Sequence, residues 1–337
     1  MRTRIEDVAA AAGVSIKTVS RVLNREPNVR PETRRRVEET VARLQYRPNP
    51  SARSLAGQRS YVIALAYDNP SRNYLMEIQS GVLEACRGEH YNLVLAPVLF
   101  GQDGYLDDIT TLSEHFGLDG VVLIPPLTDD PALLNRLDEL GLPYASISPR
   151  VHRDRIGVTV DEHAAVCDLI SELIELGHTR IGHILGHASH GARDWRYSGY
   201  RNALAKAGIA FDPALVVEGE FTFDSGVQGA EALLDLADPP TAIFAANDDT
   251  AAGVIRVARL RGLSVPRDLS VCGFDDTPLS RHIYPALSTV RQPTRDMGRL
   301  ATRELLEHLR DPEAGAMVAI RYNLELRDSI AAAPLRS

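Results

Sequence analysis

The chain lacks most of what marks an enzyme, a membrane protein or a disulfide-framed secreted domain. No apolar run approaches the roughly 20 residues of a membrane span, although 44% of the 337 residues are hydrophobic. No membrane partner is expected. The N-terminus is charged at once and has no apolar signal-peptide core, so the expected location is the cytoplasm. Cysteine is scarce. Cys86, Cys167 and Cys272 are odd in number and unclustered, which reads as buried reduced thiols and excludes a disulfide framework. There is no Gly-x-Ser-x-Gly, no Walker A loop and no Gly-x-Gly-x-x-Gly after a strand. The adjacent carboxylates Asp275 and Asp276 do not flank a substrate as glycosidase carboxylates must. No catalytic residues and no cofactor are expected. His178, His183, His187 and His190 are dense, but no acidic or cysteine ligand joins them at zinc-finger spacing, so no metal site is expected. His187 and His190, in the loop before Arg196, border any cleft that opens there.

What the chain does have is an asymmetric charge. Residues 1–60 carry 13 Arg/Lys against 6 Asp/Glu, net +7, while residues 61–337 carry 24 against 39, net −15. The overall pI near 5.7 hides this. A basic head on an acidic body is expected when only one module meets a polyphosphate. In that head Ile5, Val8, Ala9 and Ala12 fall on one helical face. Thr3 and Glu6 have capping-box spacing, and Gly13 stops the helix. Ser15 can cap a second helix with Val19, Val22 and Leu23 inward, and a third follows Pro31 with Val37, Val41 and Leu44 inward. Three small helices of this kind make a helix-turn-helix, its second helix free to enter a major groove. Ile16, Lys17 and Arg21 lie on the exposed start and face of that helix. Lys17 can donate to guanine O6/N7, Ile16 can meet a thymine methyl, and Arg21 can reach base or phosphate.

A connector follows. Pro48 and Pro50 break the third helix, Pro50 suits a first helical turn, and Ser51–Ala56 makes barely two turns before Gly57. A helix that short needs DNA or a second copy to support it. Leu55, its one large apolar side chain, is a candidate minor-groove wedge. The expected boundaries are 1–47 for the head, 48–59 for the hinge and 60–330 for the body.

The body alternates strand-like runs, such as Tyr61–Ala66, Asn92–Ala96, Gly120–Ile124 and Thr241–Ala245, with helical stretches. Continuous apolar strands imply parallel sheets covered on both faces, and doubly wound halves hold ligands outside the strands' carboxyl ends. Residues just past those ends face such a crevice: Asp68 and Asn69, Asp161, Asn247, and Asp275. Tyr74 opens the first body helix, Arg196 opens a later one, and Phe221 follows Val216–Glu220. Asp248 and Asp276 suit capping of the segments they precede.

Val8-Ala9, Ala12-Gly-Val-Ser15, Thr18-Val-Ser-Arg-Val-Leu-Asn24, Tyr46-Arg-Pro-Asn49 and Ser54-Leu-Ala-Gly57 resemble the lactose/galactose-repressor family of bacterial transcription regulators. The likeness continues through Leu176-Gly-His178, Arg196–Tyr200, Ala245–Asp248, Val265–Asp276, Pro285–Val290 and Met297-Gly298, and so covers nearly the whole chain. The resemblance implies an all-α helix-turn-helix head on an α/β body of two doubly wound parallel-sheet lobes, like a periplasmic binding protein. It implies three crossings, near 158–163, 287–292 and 321–325, with one lobe at about 60–160 and 291–322 and the other at about 161–288 and 323–330. It also implies a repressor that binds a pseudo-palindromic operator as a homodimer and associates with the nucleoid when bound. In this family's pattern Thr3, Ser15, Thr18, Ser20, Asn24, Asn28, Asn49 and Ala52 join Ile16, Lys17, Arg21 and Leu55 at the DNA. Arg30 departs from the pattern, standing where the family commonly has a capping serine, and is expected to contact a phosphate instead. The crevice residues, Asp68, Asn69, Tyr74, Asp161, Arg196, Phe221, Asn247 and Asp275, then hold a small effector, in this family commonly a sugar or a nucleobase, with a sugar or glycoside expected here. A sugar-binding transport protein shares the body fold, but the basic head and the missing export signal disfavour it.

Overall fold

A computed structural model of the chain describes residues 3–23, 28–46, 59–151 and 156–334. It has two compact units, Met1–Ser60 and Tyr61–Ser337. Asn24, Asn49, Ala52 and Leu55, and the hinge expectation with them, lie outside the described residues.

In the first unit α1 (Ile5–Ala12), α2 (Ile16–Leu23) and α3 (Pro31–Arg43) close on a core of Val8, Ala9, Ala12, Val19, Val22 and Val37. Gly13 takes φ +64° at the end of α1, where the Gly13 and Val14 N–H groups donate to the Ala10 and Ala9 carbonyls. That αL geometry is what glycine supplies cheaply. Ser15 caps α2, its Oγ accepting from the Thr18 N–H at 3.1 Å. The start of α1 departs from expectation. Thr3 does not cap it; its hydroxyl donates to the Leu44 carbonyl at 3.1 Å and ties the chain start to the end of α3. The helix begins one residue later, where the Arg4 N–H donates to the Asp7 carboxylate at 2.8 Å. Two overlapping capping spacings compete there, and the tertiary bond decides between them. Tyr46 packs against the head core, inside the expected bounds of the head.

The second unit holds two six-stranded sheets. The first has the order β11-β5-β4-β3-β1-β2 and joins β1 (Val62–Tyr67), β2 (Asn92–Pro97), β3 (Gly120–Leu123), β4 (Tyr144–Ile147), β5 (Gly157–Thr159) and β11 (Met317–Ala319), all parallel. The second has the order β12-β10-β9-β8-β6-β7. It joins β6 (Ile181–Ile184), β7 (Val216–Val217), β8 (Ala242–Ala245), β9 (Ser270–Phe274), β10 (Ser288–Arg291) and β12 (Asn323–Glu325). Only β12 runs antiparallel to its neighbour. The chain passes between the sheets after β5, after β10 and after β11. β10 carries the second lobe to Arg291, three residues past the expected 288.

The helices between strands are α4 (Arg72–Gly88), α5 (Tyr105–Phe116), α6 (Pro131–Glu139), α7 (Glu162–Glu175), α8 (Gly191–Lys206), α9 (Phe223–Leu234), α10 (Asp248–Leu260), α11 (Pro278–His282) and α12 (Thr294–Arg310). They explain the unbroken apolar strands. In β1, Ile63 and Leu65 enter a core with residues of α4 and α12, while Ala64 and Ala66 enter another with α5 and α6 on the opposite face.

The α4–α12 crossing brings backbone against backbone. A Cβ on Gly81 would sit 1.9 Å from the Arg295 carbonyl oxygen, and one on Gly298 would sit 2.3 Å from that of Ile78. No rotamer relieves either clash, so the helices would have to part. Gly81→Ala is expected to destabilise the body by about 1–3 kcal/mol, the range for overpacked cores, read as a lower urea midpoint. Gly88→Ala, where nothing lies within 4 Å, is the control and should leave the midpoint almost unmoved. Equal midpoints for both variants would remove the close-approach account.

Candidate functional site

Two regions gather the expected functional residues, one in each unit. In the head, α2 buries Val19 and Val22 and turns Ile16, Lys17 and Arg21 outward, with Ile16 47% exposed. A large apolar side chain left on the surface of so small a unit suits an apolar target such as a thymine methyl. Ser15 and Thr18 share a bond of 2.9 Å between their hydroxyls, which fixes the first turn of the helix. Arg30 precedes Pro31 with no side-chain bond into α3. It is exposed, as is Asn28.

In the body, a cavity lies between the two sheets' carboxyl ends. Asn69, Ser71, Tyr74, Pro125 and Ser148 line it from the first lobe. Glu162, His190, Ala192, Arg196, Phe221, Asn247 and Asp275 line it from the second, with Gln292 at a crossing. It is narrow, about 30 Å³, room for roughly one or two waters.

Arg196, on the first turns of α8, is 4% exposed. Its Nε donates to Glu162 Oε2 at 2.8 Å and its Nη2 lies 3.6 Å from Asp275 Oδ1. Its Nη1 donates to the Ala246 carbonyl, and the guanidinium lies 3.8 Å from the Phe274 ring centroid. Planar, delocalised charge tolerates such burial where an ammonium does not. Burial pushes the Asp275 carboxyl up to about 7, against the opposing pull of Arg196 and a bond from Gln292. Gln292 Nε2 donates to Asp275 Oδ1 at 2.5 Å. Three lining residues, Ser148, Phe221 and Asp275, hold positive φ without being glycine. Such conformations cost of order 1–3 kcal/mol each and cluster where function over-determines the backbone.

Six of the eight expected crevice residues meet at this cavity: Asn69, Tyr74, Arg196, Phe221, Asn247 and Asp275. Two do not. Asp68 turns back to accept from the Phe100 N–H at 2.9 Å. Asp161 caps α7, accepting from the Ala164 N–H, and its neighbour Glu162 enters the cavity instead. Asp161 lines an adjoining space of about 290 Å³ that shares Ser148 and Glu162 with the first and is walled by Trp195. Asn247 lines the cavity with its amide already committed, accepting from the Thr250 N–H and donating to the Phe221 carbonyl. Sequence reasoning missed Ser71, Ser148, Glu162 and Gln292. A carboxylate next to a strand-end aspartate was the only available signal for Glu162. Asp248 accepts from Thr277 and Thr289, and Asp276 from Ser280, Arg281 and Arg327; both hold structure.

The two walls are latched together on both flanks. Ser71 Oγ and Asn73 Nδ2 donate to the Asp249 carboxylate at 2.7 and 3.0 Å, and Arg150 pairs with Asp194 at 2.8 Å. His183 is buried against Phe244, its Nδ1 3.0 Å from that residue's carbonyl oxygen. His178 is bonded by Thr241 and Ser270. Among the described residues no group of three His, Cys, Asp or Glu could hold a metal, and no helix is long and apolar enough to cross a membrane.

Residues 4–49 match the model of bacterial regulatory proteins of the lacI family, and residues 170–330 that of a periplasmic binding protein-like domain. Catabolite control protein A of Priestia megaterium is 34% identical over 334 residues, covering 98% of this chain and 99% of its own. The chain belongs to the LacI family. As a LacI-family member it is a DNA-binding transcription regulator and not an enzyme. A solved complex of the regulator CelR with cellobiose shares 33% identity at a TM-score of 0.74, over 97% of this chain and all of that one. A Lac repressor dimer bound to operator and an anti-inducer shares 27% at a TM-score of 0.80, over 98% of this chain and all of that one. The helix-turn-helix head and the two-lobed α/β body expected from the sequence are thus this family's architecture.

Two outcomes follow from these geometries. Lys17→Ala should weaken specific operator binding by about 1–3 kcal/mol while sparing non-specific binding. Equal losses on operator and random DNA would move Lys17 to a phosphate. The second concerns pH. Between about pH 4 and 7 native Asp275 keeps a proton that the unfolded chain releases, so its contribution to stability falls as pH rises through that window. Burial lowers His183 to about 4 and His190 to about 3, so their contribution falls instead as pH drops below about 6.5. The two slopes oppose each other. Asp275→Asn removes only the first and should steepen the rise of unfolding free energy with pH by up to about 1.4 kcal/mol per pH unit, measured by urea titrations from about pH 4.5 to 6.5. An unchanged slope would show that Asp275 is ionised throughout.

Proposed function

We propose that this LacI-family chain is a repressor whose operator affinity is set by a small carbohydrate, a sugar or glycoside, held between the lobes of its body. The observation that carries the reading is Arg196, a buried guanidinium held between Glu162 and Asp275 in a cavity whose facing wall is Asn69 and Tyr74 of the other lobe. Carboxylates beside a guanidinium suit neighbouring hydroxyls, and the Phe221 and Tyr74 rings suit the apolar face of a sugar. The cellobiose in the solved CelR relative favours the same class.

A cavity of about 30 Å³ does not admit a sugar ring, so binding requires the lobes or their side chains to part. An effector that binds one arrangement better than the other shifts the balance between them, and only that differential affinity can alter DNA binding. One head covers one half-site. Two linked heads gain through effective concentration, which supports a homodimer on a pseudo-palindrome, as in the Lac repressor dimer bound to operator. Such a protein works in the cytoplasm, on the nucleoid when bound.

The test is fluorescence anisotropy of the full chain on an operator selected from random DNA, titrated with sugars, glycosides and nucleobases. At least one carbohydrate should change the operator Kd by about 5–150-fold, the usual span of allosteric coupling. Asp275→Asn should bind the operator within a few-fold of the parent and lose the response. A nucleobase that acts where no carbohydrate does would overturn the carbohydrate reading.

A further inference from the structure

The cavity wall holds polar atoms whose bonding capacity the protein itself leaves unused, and their polarity is fixed. His187 Nδ1 receives the Ser189 backbone N–H at 3.1 Å, so that nitrogen carries no proton. The Ser189 hydroxyl, 2.7 Å from the same nitrogen, therefore also donates to it. With its one proton spent, Ser189 Oγ can only accept from His190 Nδ1, 3.2 Å away. His190 is thereby protonated on Nδ1 and bare on Nε2. At the other end of the chain of bonds, His187 Nε2 lies 3.3 Å from the Glu220 carboxylate, as the same assignment requires. His190 is 5% exposed, and its Nε2 is buried with no partner.

Gln292 is fixed in the same way. Where Asp275 is ionised its oxygens only accept, so the amide nitrogen of Gln292 faces it and Gln292 Oε1 is left buried and unpartnered by protein. Orientations of imidazole and amide groups are set by such bonding patterns. The cavity thus offers two orphaned acceptors and the Ser148 hydroxyl, which is also without a partner. The charges point the same way once Asp275 is ionised: Glu162 and Asp275 then outnumber Arg196, whose Nε and Nη1 already serve Glu162 and the Ala246 carbonyl. Burial keeps His190 neutral, with its titration lowered to about 3.

We propose that His190 is a specificity-determining residue that, with Gln292, selects a hydroxyl-rich effector lacking negative charge and rejects sugar acids and sugar phosphates. The proposal rests on the carbohydrate reading above. A ligand hydroxyl donating to Nε2 satisfies a buried acceptor that no group of the protein meets. A carboxylate or phosphate there would face the lone pairs of Nε2 and Oε1 and the negative charge of Glu162 and ionised Asp275 in a buried site, which is how sites built for hydrogen bonding reject the wrong partner.

The experiment uses the full chain and matched pairs: glucose, galactose, ribose and cellobiose against glucuronate, galacturonate, ribose 5-phosphate and glucose 6-phosphate. Binding is read by thermal shift and by the fluorescence of Trp195, the chain's one tryptophan, which sits one residue from Arg196. At least one neutral sugar should raise the melting temperature, and the charged probes should not. His190→Phe keeps a ring against Phe221, which now lies 5.3 Å away, but removes the acceptor. It should weaken the neutral sugar at least tenfold and leave the melting temperature of the free protein the same or higher. A charged probe that binds as tightly as its neutral partner overturns the proposal and leaves the carbohydrate reading standing, as does undiminished affinity in His190→Phe. Silence from every carbohydrate, neutral and charged, overturns the carbohydrate reading, and the proposal falls with it.

Discussion

The body is organised around one buried cation. Arg196 lies under the cleft with Glu162 from the neighbouring helix, Asp275 from a strand end and Phe274 beneath it. A lone guanidinium at 4% exposure would be untenable, because removing a charge from water costs several kcal/mol unless its partners are well placed. The partners are costly in turn. With Arg196 absent, Glu162 and Asp275 would face each other across a dry cavity. Each group is tolerable because the other two are there, and the positive φ of Asp275 is part of what holds the carboxylate in range. A buried ion group of this sort is a poor source of stability and a good source of definition. It specifies where the second lobe's wall must be.

The opposite wall is held by different means. Ser71 and Asn73 reach across to Asp249, and Arg150 to Asp194. These are two part-buried hydrogen bonds to one carboxylate, worth about 1.5–3 kcal/mol each, and a half-exposed ion pair worth about a kcal/mol or less, all of which water can replace when the walls part. The contrast suits a device that must open. Rigid chemistry sits on one lobe and replaceable contacts join that lobe to the other.

Much of this was legible in the sequence, and the failures are instructive. The head was readable because its signals are local: a glycine at φ +64°, a capping serine and two valines turned inward. The strands were readable because helices cover both faces of each sheet, leaving unbroken apolar runs. The crevice was half readable. Strand ends located Asn69, Asn247 and Asp275, but nothing local distinguishes Asp161, which caps a helix, from Glu162, which enters the cavity. Asp68 was lost to the Phe100 backbone, 32 residues away, and Thr3 to Leu44, 41 residues away. In each case a long-range hydrogen bond decided the role. Gln292 was missed because it lies just past β10 in a crossing segment, where nothing local separates it from its polar neighbours Arg291 and Thr294.

The reciprocal contact of Gly81 and Gly298 has a mechanical meaning. α4 begins at the residues that reach Asp249, and α12 begins just after Gln292 leaves the cavity. With no side chains between them at the crossing, the two helices have no soft layer to absorb a shear. A push at the cleft is carried along both as along a stiff lever. Compliance must then lie in the three segments that cross between the sheets.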